Sequence, residues 1–213
     1  MLDALVHAGG KGSRMGYREK SIILVEGRPM IDRVLDALEG CPRISRTVVT
    51  VSRNTPDTER HLRSRGVEVL HTSGDDYVGD LQAAMTKLGA DSVLVCPADL
   101  PMLTSDAVDA LLDAYTATPA ESFQVAVPAR SVRLAGVEPS YVFDQGEELA
   151  LCAVSVVDRK GIIEGRTLSI GTWVTDDLRF ALNVNTLGDL EGLRPWTGAS
   201  RSSSRSPPQA CRR

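Results

Sequence analysis

The stretch that decides the fold is LDALVHAGGKGSRMGYREK, residues 2–20, in which an apolar run leads into a loop rich in glycine and cationic residues. Few polar side chains interrupt the run from Leu2 to Val6, which predicts a short buried strand. That strand ends where the glycines begin, because clustered glycines favour a turn. Glycine adopts positive φ without strain, so the loop can turn its N–H groups inward, a geometry that holds phosphate oxygens. The glycines concerned are Gly9, Gly10 and Gly12.

The charge of this loop also favours an anion, because Lys11, Arg14 and Lys20 lie at or just beyond the glycines. Two standard phosphate motifs fail on their spacing. A Walker A loop needs Gly-Lys followed by Ser or Thr, but a glycine follows Gly10-Lys11. The dinucleotide fingerprint fails because its third glycine comes one position late, at Gly16. We therefore expect a polyphosphate-binding loop of another type, and an NAD-linked oxidoreductase is disfavoured.

The bulk composition is that of a soluble single-domain protein. The chain has 213 residues, of which 42% are hydrophobic and 24% charged. No stretch approaches the ~20 apolar residues of a membrane span. Acidic Asp3 stands where a signal peptide would carry its basic region. The four cysteines include no CxxC pair, so neither a zinc site nor a disulfide framework is expected. We therefore expect a cytoplasmic protein without a membrane span.

The net charge of −4 is unevenly distributed along the chain. Residues 195–213 contain four arginines and no acidic residue, so the negative charge lies in residues 1–194. Surfaces that bind nucleic acid are usually strongly basic, so this acidic body argues against a nucleic-acid partner. The Ser/Arg/Pro-rich end has too little apolar surface to order itself. We expect one domain over residues 1–194 and a disordered tail over residues 195–213.

Hydrophobic periodicity predicts alternating strands and helices in the first half of the chain. After the first strand, strands are expected at 47–51, 67–70 and 92–96, and helices at 30–38, 56–65, 77–88 and 106–117. This alternation is typical of a parallel sheet covered on both faces. We therefore predict an α/β fold, a Rossmann-like three-layer sandwich with a mostly parallel central sheet. The second half is less regular, with strands expected at 124–127, 149–157 and 180–185 and an edge or hairpin segment in 137–143.

An aspartate follows the fourth predicted strand, in the sequence Pro97-Ala98-Asp99. Ligands of parallel sheets bind beyond the carboxyl ends of the strands, so Asp99 is expected on the same rim as the glycine loop. Mg²⁺ takes one or two carboxylates from protein and its other oxygens from phosphates and water, which makes Asp99 the predicted metal ligand. Asn185, at the end of the last predicted strand, is placed to reach a metal or phosphate. His7 is interpreted as strand packing.

The chain also carries motifs whose order and spacing resemble one family. They are LVHAGGKGSRMG at 5–16, SRNTPDT at 52–58, HTSGDDYVGDL at 71–81, CPADLP at 96–101 and NVNTLGDL at 183–190. Over about residues 2–193 the chain resembles the archaeal type of GTP:adenosylcobinamide-phosphate guanylyltransferase. The resemblance implies a fold of the nucleotide-diphospho-sugar-transferase type, like that of molybdenum-cofactor guanylyltransferases. It also implies transfer of GMP from GTP to adenosylcobinamide phosphate, with release of pyrophosphate, in cobalamin biosynthesis.

The same resemblance assigns roles to residues of this chain. Contacts to the triphosphate are implied for Gly9, Gly10, Lys11, Gly12, Ser13, Arg14 and Lys20. Positions around the guanosine are implied for Thr72, Ser73, Gly74, Asp80 and Leu81. Mg²⁺ would be held by Asp99 and Asn185, and Arg14, Lys20 and Asp99 would be the catalytic groups. No general base is required, because a phosphate acceptor is already ionised at neutral pH. Candidates for the acceptor site are Arg130, Arg133 and Tyr141.

Two alternative functions remain open from the sequence. The same chemistry on another acceptor, such as molybdopterin or 2-phospholactate, is the nearest, although the second and third motifs count against it. A GTP-binding regulatory paralogue without turnover is the second. It is suggested by Ser21, where the family usually has proline, and by Ala153, in a strand where the family tends to carry glycine and asparagine. The oligomeric state is also open, with a homodimer among the options.

Overall fold

A mixed eight-stranded sheet forms the centre of the protein. The computed structural model describes residues 1–12, 19–118, 120–193 and 196. In chain order the strands are β1 (Leu2–His7), β2 (Leu24–Val25), β3 (Arg28–Pro29), β4 (Ile44–Val51), β5 (Glu68–His71), β6 (Ser92–Pro97), β7 (Ser122–Pro128), β8 (Val142–Asp144), β9 (Glu148–Asp158) and β10 (Ile170–Val174). Strands β2 and β3 form a separate small hairpin.

The order of strands in the main sheet is β10-β7-β9-β6-β1-β4-β5, and β8 pairs with the beginning of β9. Strand β1 is parallel to β4 and β6, and β4 is parallel to β5. Strand β9 is antiparallel to β6, β7 and β8. The predicted α/β fold with a mostly parallel sheet is therefore confirmed. The carboxyl ends of β1, β4, β5 and β6 lie along one rim of the sheet, which is where such folds bind ligands.

Helices cover both faces of this sheet. They are α1 (Met30–Glu39), α2 (Pro56–Ser64), α3 (Tyr77–Met85), α4 (Ser105–Ala117), α5 (Ala129–Leu134), α6 (Arg159–Glu164) and α7 (Leu187–Gly192). Alternate residues of a strand point to opposite faces. Ala4 and Val6 of β1 therefore join the larger core with residues of α1 and α4, whereas Leu5 joins a smaller core with residues of α3 and α6. In the part of the chain described above, no helix is long and apolar enough to span a membrane.

The strand predicted at 180–185 is wrong. A 3-10 turn at Leu178–Phe180 is followed there by an irregular segment that leads to α7. Phe180, Leu182 and Val184 are fully buried at alternate positions. The alternating pattern therefore reflects burial of three side chains in the larger core, without a ladder of strand hydrogen bonds. The Val184 N–H instead donates to the Asp99 carbonyl at 3.0 Å, which ties this segment to the rim.

Other differences lie in the second half of the chain. Residues 137–143 contribute a strand only from Val142 onwards, within β8. Strand β10 and the short helices α5 and α6 were not expected from the sequence. The predicted boundary between domain and tail lies where residues 194, 195 and 197–213 fall outside the described part of the chain. The tail stays a prediction.

A buried carboxylate joins α1 to α2. Asp32 is only 8% exposed, and it accepts hydrogen bonds from His61 Nε2 at 2.7 Å and from Arg65 Nη1 at 2.8 Å. Burial disfavours the charged form of Asp32, but hydrogen bonds from His61 and Arg65 outweigh that effect and lower its pKa. A carboxylate with a lowered pKa in the folded state stabilises the protein at neutral pH.

Replacing Asp32 by asparagine is therefore expected to lower the free energy of unfolding at pH 7 by about 2 kcal/mol, because Arg65 loses its buried partner. This stabilisation is present above the pKa of an unfolded aspartate and disappears as the pH falls through the lowered folded-state pKa. The difference between Asp32→Asn and the parent should thus shrink in strong acid. Urea unfolding at several pH values measures it, with Asp113→Asn, in an exposed pair with Arg43, as the matched control.

Candidate functional site

A cleft of about 470 Å³ lies along the rim where β1, β4, β5 and β6 end. Its walls come from loops that follow these four strands, together with the segment before α7. It is lined by His7, Ala8, Gly9, Gly10, Gly12, Lys20, Ser21, Thr50, Thr72, Gly74, Asp75, Tyr77, Asp80, Ala98, Asp99 and Asn185. Nine residues predicted from the sequence as site residues are therefore brought together here. They are Gly9, Gly10, Gly12, Lys20, Thr72, Gly74, Asp80, Asp99 and Asn185.

Gly9, the first glycine of the loop, packs closely against the end of β4 and the residue that follows it. A Cβ atom on Gly9 would lie 3.3 Å from the Val51 carbonyl carbon and 3.4 Å from the Ser52 Cβ. The buried Ser52 hydroxyl donates to the Gly9 carbonyl at 2.7 Å. Gly12 has φ of +60°, which favours glycine. Ser13 and Arg14, predicted to contact the triphosphate, lie outside the described residues.

The two lysines of the loop have different surroundings. Lys11 is half exposed and pairs with Asp75 Oδ1 at 2.8 Å, so it does not line the cleft. Lys20 lies inside the cleft, where its Nζ donates to Asp99 Oδ2 and, at 3.0 Å, to Asn185 Oδ1. Of the two predicted phosphate-binding lysines, the structure therefore places Lys20 at the centre of the cleft and Lys11 at its edge.

Glu19 holds Lys20 in this position. Its two carboxylate oxygens accept from the N–H groups of Asp57 at 2.8 Å and Thr58 at 2.5 Å, at the start of α2. Those N–H groups have no partner within the helix, and the helix dipole favours a carboxylate there. The chain then enters a 3-10 turn at Lys20–Ile22. Glu19 therefore fixes the end of the loop to α2.

Asp99 and Asn185 provide two oxygens that suit a hard cation. Asp99 is 7% exposed, and its Oδ1 is buried without a hydrogen-bond partner among the described residues. Asn185 is held by Asp189, which accepts from the Asn185 and Thr186 N–H groups at 2.8 Å each. No group of three or more His, Cys, Asp or Glu residues is placed to hold a metal in the described ranges. One carboxylate and one amide oxygen fit Mg²⁺ when substrate phosphates complete its shell.

The loop after β5 is ordered by Asp80 of α3. The Asp80 carboxylate accepts from the N–H groups of Ser73 and Gly74 at 2.8 Å each. Partial burial opposes its charged form, yet hydrogen bonds from Ser73, Gly74 and Thr72 lower the pKa of Asp80. Ser73 does not line the cleft, and Leu81 packs against the smaller core.

Gly74 makes the contact between this loop and the one after β4. Its φ is +72°, and a Cβ atom there would lie 2.5 Å from Ser52 Oγ and 2.8 Å from Asn54 Nδ2. Only glycine fits both the backbone and the space. The Ser52 hydroxyl thus touches the glycine loop on one side and the loop after β5 on the other.

His7, Thr50 and Tyr77 are site residues that sequence reasoning missed. His7 is the last residue of β1, and its ring centroid lies 5.1 Å from that of Tyr77. Its Nδ1 lies 3.1 Å from Thr50 Oγ1, and its Nε2 is buried without a partner in the described part of the chain. Burial lowers the pKa of His7 to about 4, although the Asp80 charge opposes this. The position of His7, directly before the glycine loop at the strand end, was the available signal.

The predicted acceptor residues do not converge on the cleft. Arg133 pairs with Glu148 at 2.5 Å, and Arg130 is exposed at the start of α5. Tyr141 is exposed and stacks on Phe143 with ring centroids 6.5 Å apart. The residue before it, Ser140, accepts from Asn185 Nδ2 at 3.2 Å, so the segment that leads into β8 borders the cleft. Tyr141 is the acceptor candidate that directly follows this contact in the sequence.

Ala153 lies in an irregular part of β9. The register between β7 and β9 shifts between Gln124 and Ala126, and three residues of β9 lie opposite this shift. Ala153 is the middle residue of the three and is exposed, but it does not line the cleft.

The glycine loop and the rim aspartate lie together where parallel strands end, which is where folds of this class bind nucleotides. The fold is similar to that of CMP:2-keto-3-deoxy-manno-octonic acid synthetase, with a TM-score of 0.72 and 16% identity over 93% of this chain and 99% of that one. It is also similar to 4-diphosphocytidyl-2C-methyl-D-erythritol synthase from Anaerococcus prevotii, with a TM-score of 0.66 and 12% identity over 93% and 98% of the two chains. The profile of the MobA-like NTP transferase domain matches residues 4–157, and the chain belongs to this family.

Two guanylyltransferases are among its relatives. The chain is 30% identical over 200 residues to the adenosylcobinamide-phosphate guanylyltransferase of Methanocaldococcus jannaschii, covering 89% of this chain and 94% of that protein. It is 32% identical over 123 residues to the molybdenum cofactor guanylyltransferase of Shewanella loihica. That second match covers 56% of this chain and 60% of the Shewanella protein.

Proposed function

We propose that this protein transfers GMP from GTP to adenosylcobinamide phosphate, giving adenosylcobinamide-GDP and pyrophosphate. The observation that carries the proposal is the match to the archaeal adenosylcobinamide-phosphate guanylyltransferase, which extends over 94% of that protein. The cleft supports it, because glycines of the loop after β1, Lys20 and Asp99 line one space at the ends of β1 and β6.

In the proposed reaction, an oxygen of the acceptor phosphate attacks the α-phosphorus of GTP. A bond forms between that oxygen and the α-phosphorus, and the bond from the α-phosphorus to the bridging oxygen of pyrophosphate breaks. Catalysis then consists of placing the acceptor in line and compensating the negative charge that develops. The glycine loop would bind the triphosphate, and the Lys20 ammonium would face the transferred phosphoryl group. Arg14 is assigned to the triphosphate by the resemblance alone.

Mg²⁺ is the proposed cofactor, with Asp99 and Asn185 as its protein ligands. The buried Oδ1 of Asp99 has no partner among the described residues and supports this assignment, because a desolvated carboxylate oxygen without a hydrogen-bond donor calls for a cation. When bound, the metal would offset charge on the phosphates. The Lys20 ammonium contacts both of these residues, so one side chain keeps Asp99 and Asn185 oriented.

Two measurements test the proposal. Calorimetric titration with GTP, ATP, CTP and UTP in Mg²⁺ measures nucleotide binding, and the release of pyrophosphate after each acceptor is added measures turnover. We expect selective binding of GTP and release of pyrophosphate only with adenosylcobinamide phosphate. Molybdopterin is the second acceptor to assay, because the match to the molybdenum cofactor guanylyltransferase favours it, and 2-phospholactate is the third. Turnover with either of these in place of the cobinamide would overturn the acceptor assignment.

GTP binding without turnover on any acceptor would instead favour the silent regulatory paralogue. Ser21 keeps this alternative in view, because it is buried and lines the cleft directly after Lys20. The variant Ser21→Pro, which restores the proline that the family usually carries, distinguishes an active enzyme from a silent paralogue. Turnover in Ser21→Pro but not in the parent protein would mean that Ser21 abolishes the activity while the fold is kept.

Asp80→Ala is expected to weaken GTP binding about tenfold, because the loop after β5 loses the hydrogen bonds from Ser73 and Gly74 to the carboxylate. Asp80→Asn keeps one acceptor oxygen and should lose less of the affinity for GTP. Calorimetry on both variants measures the effect, and thermal unfolding shows whether the loss is local. Unchanged affinity in Asp80→Ala would mean that the loop does not contribute to nucleotide binding.

A further inference from the structure

His7 carries a polar atom that makes no hydrogen bond with the described residues. Its Nε2 is buried and has no partner among those residues, while His7 is one of the residues that line the cleft. A polar atom desolvated without a hydrogen bond destabilises the folded protein. Such an atom on the wall of a binding cleft is satisfied when a ligand supplies the missing group.

The contact of His7 Nδ1 determines whether Nε2 would donate a hydrogen bond to a ligand or accept one. We assign the single proton of the Thr50 hydroxyl to the Val6 carbonyl, 3.4 Å away. With this assignment, the hydroxyl oxygen accepts from His7 Nδ1, 3.1 Å away, and the proton of the imidazole resides on Nδ1. Nε2 then carries a lone pair. The low pKa of His7, about 4, keeps the ring neutral near pH 7.

The residues around His7 favour a hydrogen-bond donor over an acceptor as the ligand group next to Nε2. His7 is on the same face of β1 as Leu5, whose smaller core is covered by α3, and Tyr77 and Asp80 of α3 line the cleft with it. The Asp80 carboxylate is the charge that acts on His7, and it is negative. A lone pair beside a negative charge attracts N–H donors and repels acceptors.

We propose that His7 Nε2 reads the base of the nucleotide by accepting a hydrogen bond from the Watson–Crick edge of guanine. This inference rests on the proposed function, since it concerns the base of the same nucleotide. Guanine presents two adjacent donors there, N1–H and the 2-amino group. Adenine presents a donor next to the N1 lone pair, which would face Nε2 and the Asp80 charge.

Tyr77 has a separate role from His7. Its side chain is 61% exposed, so few contacts oppose its displacement, and its ring leans towards the imidazole at 5.1 Å. An incoming base takes the space beside the imidazole and stacks on the Tyr77 ring. Stacking on an aromatic ring tolerates any base, because every base has a π face. Tyr77 therefore contributes affinity, and His7 contributes selectivity.

The test measures the affinities of wild type, His7→Leu, His7→Gln and Tyr77→Ala for GTP and ATP in Mg²⁺. His7→Leu should lose roughly tenfold or more of the GTP preference, because the site no longer accepts from guanine. His7→Gln places an amide oxygen near the position of Nε2 and should recover most of it. Tyr77→Ala should weaken both nucleotides alike and leave their ratio unchanged.

Two further readouts separate this role from a structural one. His7→Leu removes a desolvated nitrogen and also the hydrogen bond between Nδ1 and Thr50, so its melting temperature should stay close to that of wild type. ¹⁵N NMR of the labelled histidines should show an unprotonated Nε2 in free protein and a changed Nε2 resonance with GTP. An unaltered GTP/ATP ratio in His7→Leu, with wild type selective for GTP, overturns the inference alone. Failure of wild type to bind any nucleotide overturns the proposed function as well.

Discussion

Asp99→Ala reduces acceptor-dependent release of pyrophosphate by about a thousandfold, and this is the largest effect we expect from a single substitution. Asp99 is the one carboxylate among the proposed metal ligands, so its loss leaves only the amide oxygen of Asn185 to hold Mg²⁺. Pyrophosphate release from saturating GTP and acceptor, measured across a range of Mg²⁺ concentrations, gives the size of the effect.

The substitution should leave the fold intact. Asp99 Oδ1 is buried without a hydrogen-bond partner among the described residues, so its removal relieves a desolvation penalty, whereas loss of Oδ2 leaves Lys20 with only its contact to Asn185 in that part of the chain. Because these two effects oppose each other, we expect the melting temperature of Asp99→Ala to stay close to that of wild type. Loss of activity together with loss of folding would contradict the assignment, and so would turnover that survives the substitution.

Lys20→Met should lower turnover about a hundredfold, the second largest effect, because the cleft loses the ammonium that faces Asp99 and Asn185. Lys11→Met is the matched control, since it removes the same charge from the same loop. Lys11 is half exposed and does not itself line the cleft, although its partner Asp75 does, so its loss should change turnover only a few-fold.

The comparison of these two lysines is best made on kcat and KM separately. A group acting mainly in the transition state lowers kcat, whereas loss of general electrostatic attraction raises KM for GTP. We expect a lower kcat for Lys20→Met and a slightly higher KM for GTP for Lys11→Met. Equal losses in both variants would mean that the surroundings of the two lysines do not determine their roles.

The sequence predicted the first half of the fold well because its local patterns agree with its tertiary structure. Strand β6 is a buried apolar run and α1 has one apolar face, and each is recognisable without knowledge of its neighbours. The segment 180–185 failed for the opposite reason. Its alternating burial arises from contacts with a core assembled from distant residues, which a local pattern cannot distinguish from a strand.

The sequence predicted many of the residues that line the site, but it did not predict how the surroundings of Lys11 and Lys20 differ. The rim position of Asp99 followed from the rule that parallel sheets bind ligands at strand ends. The different roles of Lys11 and Lys20 depend on Asp75 and on the attachment of Glu19 to α2, which are contacts between segments far apart in sequence. His7 was read as packing because one letter before a glycine loop does not reveal that its Nε2 lacks a partner.

Because β9 runs antiparallel to its neighbours, two widely separated parts of the sequence meet at the cleft. Because β9 is antiparallel to β6 and β7, the segment that precedes it, residues 129–147, lies at the rim where the other strands end. The residues that line the cleft come almost entirely from before residue 100, and this segment borders the cleft through Ser140. Insertions or exchanges within 129–147 can therefore remodel the neighbouring surface while the glycine loop and the contacts that support it stay unchanged.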